Sequence, residues 1–158
     1  MDDIHLVAVN VRSALNVGSF FRTADALGVA KIWLAGYTPT PEHEAVQKTA
    51  LGAEKTVSWE SIPDVMGCFE RLRKEGLSIV GLECGANGAY LHRFTPTFPC
   101  ALVVGNEVEG LSEMQRSACD AIVEIPQLGS KESLNVSVAA GIALWHFRAA
   151  TPRMTSFL

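Results

Sequence analysis

Three stretches of the 158-residue chain place polar side chains where their neighbours are apolar. The first, Asn10-Val-Arg12-Ser-Ala-Leu-Asn16-Val-Gly18-Ser-Phe-Phe-Arg22, brings an amide and a guanidinium to the first turns of an otherwise apolar helical pattern. A helix cap plus a surface arginine accounts for the same residues. The second, Gly105-Asn106-Glu107-Val108-Glu109-Gly110-Leu111-Ser112, has two glycines that let backbone approach a ligand. Its two carboxylates make it a poor phosphate cradle, so a cationic or uncharged ligand suits it better; an ordinary strand-to-helix turn is the alternative. The third runs Ile125-Pro126-Gln127-Leu128-Gly129-Ser130-Lys131-Glu132-Ser133-Leu134-Asn135-Val136-Ser137. Ser133, Asn135 and Ser137 compete with helical hydrogen bonding and are costly to bury unpaired, so they cap something or bind something. A helix start with Ser133 as N-cap explains Ser133 but leaves Asn135 unexplained.

The elements that must hold these stretches follow from hydrophobic period. Ile4–Val11, Lys31–Ala35, Ser78–Leu82, Cys100–Val104 and Ala121–Ile125 are short β-branched or apolar runs and predict strands. The last three are nearly continuous in apolar residues, as strands covered on both faces are. Helical spacing marks Leu15–Gly28, Ile62–Glu75 with Pro63 in its first turn, and Ser112–Cys119 with Ser112 as cap. Leu134–Arg148 is apolar nearly all round, more than one sheet face can cover, which predicts a homodimer. Strands alternating with helices predict an open parallel α/β sheet with helices on both faces. In such sheets ligands bind beyond the carboxyl ends of the strands.

The same sequence narrows the chemistry. There is no Gly-x-Gly-x-x-Gly turn, no Gly-x-x-x-x-Gly-Lys-Ser/Thr loop, no His-Glu-x-x-His pair and no Gly-x-Ser-x-Gly elbow. Dinucleotide, P-loop, zinc-hydrolase and serine-hydrolase readings all lack their motif. Cys68, Cys84, Cys100 and Cys119 are widely spaced and sit mostly in apolar sequence, as buried thiols in a reducing compartment would, so neither zinc nor disulfides are expected. Apolar residues at 48% and charged residues at 19% describe one globular domain, expected over residues 1–150 with a tail at 151–158. No apolar run approaches the roughly 20 residues that cross a bilayer, and the acidic start is unlike a signal peptide, so a cytoplasmic protein is expected. Thirteen Lys and Arg against seventeen Asp and Glu exclude coating of nucleic acid by bulk charge but leave room for a local basic site.

The three stretches, in this order and at these distances, resemble the motifs of the SPOUT superfamily, specifically its SpoU (TrmH-type) RNA ribose 2′-O-methyltransferases. Asn16…Arg22 looks like the first motif, Gly105–Leu111 like the second, and Ile125–Ala139 with Ser133-Leu134-Asn135-Val136-Ser137 like the third. The resemblance covers essentially the whole chain. It implies a carboxyl-terminal trefoil (α/β) knot, which ordinary topology rules would not predict. It also implies S-adenosylmethionine as cofactor, RNA as substrate, and a homodimer whose site draws on both subunits. By position, loops at Leu82–Gly85, Gly105–Gly110 and Ile125–Leu134 would form the cofactor pocket, with Leu82, Gly105, Asn106, Gly110, Ile125, Gln127 and Leu134 in contact. Arg22 would be the central catalytic residue with Asn16 orienting it, and Glu107, Ser133 and Asn135 would surround substrate and cofactor.

A guanidinium is effectively always protonated, so Arg22 is expected to grip the RNA phosphate and the 2′-oxygen while the proton passes to phosphate or water. With the first strand at the start of the sequence and the last helix near its end, the flanking extensions by which larger relatives hold RNA are expected to be missing. Capture therefore falls to the core, with Asn10, Arg12, Lys48 and Lys131 as candidate contacts, and Lys55 and Arg93 beside them. A minimal core is similar to the members that act on transfer RNA, which is preferred here over ribosomal RNA. Two other activities remain in view: a catalytically silent SPOUT-like dimer that binds RNA or serves assembly, and a methyltransferase acting on a base or small molecule.

Overall fold

The unbroken apolar run Cys100–Val104 becomes the middle of the molecule, a strand with every residue buried. A computed structural model describes residues 2–157. Its strands are β1 (Ile4–Val9), β2 (Lys31–Ala35), β3 (Trp59–Ile62), β4 (Ser78–Leu82), β5 (Ala89–Tyr90), β6 (Cys100–Val104) and β7 (Ala121–Glu124). They form one all-parallel sheet in the order β3-β2-β1-β6-β4-β7-β5.

Because strand side chains alternate, β1 sends Leu6 and Ala8 to one face and Val7 and Val9 to the other. The first face is covered by α1 (Ala14–Leu27), α2 (Glu44–Ala50) and α5 (Val136–Ala149), through Phe20, Phe21, Val46, Leu144 and Phe147. The second is covered by α3 (Val65–Lys74), through Phe69 and Leu72, and by the segment around α4 (Glu113–Ser117). A single parallel sheet with helices on both faces is therefore the architecture, and all five strands read from the sequence belong to it.

Several boundaries differ, each for a local reason. β1 stops at Val9 and not at Val11, because Asn10 adopts a left-handed φ of +52° that turns the chain out of the sheet. β7 ends at Glu124, one residue short of Ile125. Pro63 lies outside α3, whose N-cap is Asp64, its side chain accepting from the Gly67 amide. α5 is capped by Asn135 and not by Ser133: the Asn135 side-chain oxygen accepts from the amides of Ser137 and Val138. Three elements have no counterpart in the hydrophobic pattern, namely α2, β3 and β5, which are short and partly polar. α2 is held by tertiary contact, with Thr49 Oγ1 donating to Leu15 O at 2.7 Å. Gly18 makes that crossing feasible, since a Cβ there would stand 2.2 Å from Val46 O.

The thiols are divided. Cys68 and Cys100 are buried, and burial pushes the pKa of both thiols up to about 12, whereas Cys119 is half-buried and Cys84 is exposed. The expected tail forms a 3₁₀ turn over Pro152–Phe157 against the end of α5; Leu158 lies outside the described residues.

The path of the last third bears on the expected knot. From β4 the chain crosses to the edge at β5, returns to β6 on the far side of β4, and then lays β7 between β4 and β5. That order is consistent with a threaded carboxyl-terminal segment.

Candidate active site

The loops that leave β1, β4, β6 and β7 meet at one end of the sheet. α1 starts there because Ser13 caps it, its hydroxyl accepting from the Asn16 amide at 3.2 Å. The same helix start is capped a second time from far along the chain. Glu107 Oε2 accepts from the Arg12 amide at 3.0 Å, and Oε1 accepts from the Ser13 amide at 2.9 Å and from Asn16 Nδ2 at 3.2 Å. Burial works to raise the Glu107 pKa, but the Arg12 and Ser13 amides and the Asn16 side chain outweigh it and hold the carboxyl below its ordinary value. A carboxylate at a helix N-terminus gains further from the helix dipole.

Asn16 then passes the connection on. Its Oδ1 accepts from Asn135 Nδ2 at 3.2 Å, and Asn135 Oδ1 accepts in turn from Ser137 Oγ at 2.6 Å and from the Ser137 amide at 2.9 Å. Glu107, Asn16 and Asn135, one from each polar stretch, thus form a continuous hydrogen-bonded line. Asn135 therefore caps α5 with its oxygen and reaches Asn16 with its nitrogen, whereas Ser133 stands two residues before the cap position.

Beside this line lies a cavity of about 470 Å³. Leu82, Gly105, Asn106, Gly110, Ile125, Gln127 and Leu134 all line it, as do Glu107 and Ser133. Its shape depends on close backbone contacts. A Cβ at Gly105 would lie 2.6 Å from the Gly110 carbonyl carbon, and one at Gly110 would lie 2.4 Å from Glu83 Oε2. Asn106 ties the loop internally, its Oδ1 accepting from the amides of Val108 at 2.8 Å and Glu109 at 2.9 Å. Glu83 Oε2 accepts from the Leu111 amide at 2.6 Å, so the loop after β4 is fastened to the loop after β6. Glu83 and Glu132, both in the wall, carried no motif signal; they sit in predicted loops but only their neighbours' positions mark them. The wall holds three glutamates and no lysine or arginine.

Other residues stand elsewhere. Arg22 is exposed on α1 and lines a second, open cleft with Asp25, Ala26, the Ala50–Ala53 turn and Thr56. Six residues along a helix turn about 240° around its axis, so Arg22 and Asn16 face different ways. Within one chain Asn16 is engaged with Glu107 and Asn135, and Arg22 is not among its partners. Arg12 contributes its amide to the line and leaves its side chain exposed; Lys48 and Lys131 are exposed on α2 and on the segment before α5. Asn10 is structural as well as peripheral: its carbonyl accepts from Asn106 Nδ2 at 3.0 Å. Among the described residues no group of His, Cys, Asp and Glu could hold a metal ion, and no helix is long and apolar enough to cross a membrane.

A parallel α/β sheet whose strand ends enclose an acidic, glycine-shaped cleft defines a ligand-binding domain with its site built from three separate loops. The chain belongs to the SpoU rRNA Methylase family, whose model matches residues 3–145. It is 38% identical to a 23S rRNA (guanosine-2′-O-)-methyltransferase, RlmB, of Nitrosomonas europaea, over 97% of this chain and 59% of that protein. It therefore spans about three fifths of that curated relative. In solved structures, the SpoU methyltransferase AviRb of Streptomyces viridochromogenes in complex with AdoMet matches with a TM-score of 0.85 and 30% identity, over 98% of this chain and 62% of that one. The A. aeolicus TrmH/SpoU tRNA modifying enzyme matches with a TM-score of 0.87 and 27% identity, over 99% of this chain and 79% of that one.

Proposed function

We propose that the chain transfers a methyl group from S-adenosylmethionine to a ribose 2′-hydroxyl of RNA. The observation that carries this reading is the Glu107–Asn16–Asn135 line running beside the acidic cavity. The cavity suits the cofactor on two counts. Its volume of about 470 Å³ lies within the range of small-molecule sites, and a wall with three carboxylates and no basic side chain suits a molecule bearing a sulfonium. When bound, that cofactor supplies an electrophilic methyl group. Leu82, Gly105, Ile125 and Leu134 would hold its adenosine through backbone groups, in a knotted cofactor site.

A ribose hydroxyl is a poor nucleophile until its proton is drawn away, so much of the catalysis must come from positioning. Glu107 is a weak base for that purpose, with its pKa lowered and three donors already on its oxygens. Its work is to fix the β6 loop against α1. Arg22 would grip the phosphate and the 2′-oxygen, the proton passing to phosphate or water, and it must come from a second copy, because it faces away from the cavity of its own chain. A homodimer is supported by α5, where Val138, Ile142 and Trp145 form an apolar stripe left 50%, 42% and 54% exposed. Asn10, Arg12, Lys48 and Lys131 remain the proposed RNA contacts, and the cytoplasm, where such RNA resides, the proposed location.

Incubation with labelled S-adenosylmethionine and, separately, bulk transfer RNA and ribosomal RNA, followed by nucleoside analysis, tests the reading. A 2′-O-methylated nucleoside is expected, with transfer RNA the preferred arm; a base-methylated product or none overturns it. Arg22→Lys is expected to lose most turnover. Trp145→Glu is expected to give monomers by sedimentation and to silence transfer without altering the cavity.

A further inference from the structure

The cavity wall contains no aromatic ring, yet one stands fixed at its rim. Tyr37, in the turn after β2, is 61% exposed. Its phenol oxygen accepts from Asn106 Nδ2 at 3.0 Å, and its amide donates to Asn10 Oδ1 at 3.1 Å. Both anchors are themselves rigid. Asn106 is buried and spends its side-chain oxygen on the β6 loop. Asn10 holds a left-handed φ of +52°, and its carboxamide fills the place of a side chain at Gly36, where a Cβ would meet Asn10 Oδ1 at 1.9 Å. The local backbone is thus bent, at some cost in strain, around an aromatic ring that packs into no core. Asn106 lies next to Glu107, so the ring is tied directly to the loop that carries the cap of α1.

We infer that Tyr37 is a nucleobase-binding residue: its exposed ring stacks on a base of the RNA strand whose ribose is presented to the cavity. The inference rests on the reading of RNA as substrate. Single-stranded bases are held largely by stacking on aromatic side chains, and a ring already immobilised loses little entropy when a base lands on it. With its oxygen accepting from Asn106, the phenol keeps its own proton free for a further acceptor, but stacking needs only the ring.

The test compares wild type with Tyr37→Leu, Tyr37→Phe and Tyr37→Trp on bulk RNA and labelled S-adenosylmethionine, with calorimetric binding of S-adenosylhomocysteine as an independent readout. Tyr37→Leu is expected to raise KM for RNA at least about 10-fold with a smaller change in kcat, while Tyr37→Phe and Tyr37→Trp stay within about threefold of wild type. Binding of S-adenosylhomocysteine should be unchanged in all three. Ultraviolet cross-linking of wild type to the same RNA should place a nucleotide on the Tyr37 peptide. Tyr37→Leu with wild-type KM, or Tyr37→Phe as damaged as Tyr37→Leu, overturns base stacking. Loss of S-adenosylhomocysteine binding in Tyr37→Leu also overturns it, in favour of a loop anchor. If wild type methylates no RNA at all, the substrate reading falls and takes this inference with it; normal wild-type turnover with an indifferent Tyr37→Leu removes the inference alone.

Discussion

Both ends of the sheet carry polar side chains but use them differently. At the end where the strands begin, the strong groups around Arg148 and Trp33 are consumed internally. Arg148, only 4% exposed, donates to the carbonyls of Leu27 and Gly28 at 2.8 Å each and to that of Asp2 at 3.3 Å. Lys31 and Arg71 both pair with Glu60 while lying over the ring of Trp33, whose indole N–H donates to His5 Nδ1 at 3.0 Å. At the end where the strands finish, Glu107 and Asn135 are exposed, and their hydrogen bonds to Asn16 form a line that borders open space lined also by Ser133. The difference separates polar groups that close a structure from polar groups that leave a place for something else.

The largest contrast should come from one substitution at each end. Glu107→Ala removes the acceptor for Arg12, Ser13 and Asn16, and the loop it fixes forms the cavity wall. Turnover should fall roughly 100-fold or more, since misplacement of about 1 Å has that effect, whereas stability should fall by only about 1 kcal/mol because the freed amides reach water. Arg148→Met should do the reverse. It strands buried carbonyls, costing about 3 kcal/mol, seen as a Tm lower by roughly 6–12 °C, with turnover per folded molecule retained. Equal loss of activity in the two variants would break the comparison.

Smaller effects sharpen it. Asn135→Asp keeps the oxygen that caps α5 and loses the nitrogen that reaches Asn16. Its stability should stay within about 0.5 kcal/mol of wild type while turnover drops about 10-fold; Asn135→Ala should also lose about 1 kcal/mol of stability. The smallest effect concerns His5. Burial lowers its pKa from the ordinary 6.5, against the raising influence of Glu75 and Asp3 and with the help of Lys31. The unfolded chain therefore takes up the proton first as pH falls. The stability contributed by neutral His5 is complete above about 6.5 and declines as pH drops from there towards the native value. Denaturant unfolding from pH 8 to 5 should show this slope in wild type and a flatter one in His5→Gln.

How much of this could be read in advance depended on where the determining forces act. Strands such as Cys100–Val104 were legible because burial on both faces writes a continuous apolar run. The capping box of α4 was half legible: Ser112 stood out as a cap, and Gln115 completes it. The cavity walls followed from loop position and motif resemblance together. α2 was hidden because its stability comes from contact with α1 at Gly18 and Leu15, which no local period records. Asn135 was read as unexplained and Ser133 as the cap, since the deciding partner, Asn16, lies 119 residues away. The bearing of Arg22 was equally invisible, because spacing along a helix fixes angle only once the helix is oriented by its neighbours. Tyr37 and Glu83 carried no motif, and only the bonds to Asn106 and Leu111 single them out.

The bond between Asn135 and Asn16 has a consequence for how the protein comes into being. A polypeptide made only as far as β6 includes both strands that flank β1, yet it lacks Asn135, the residue that completes the line. The line closes only across 119 residues of sequence. The proposed site is thus complete only after every strand of the sheet has been made.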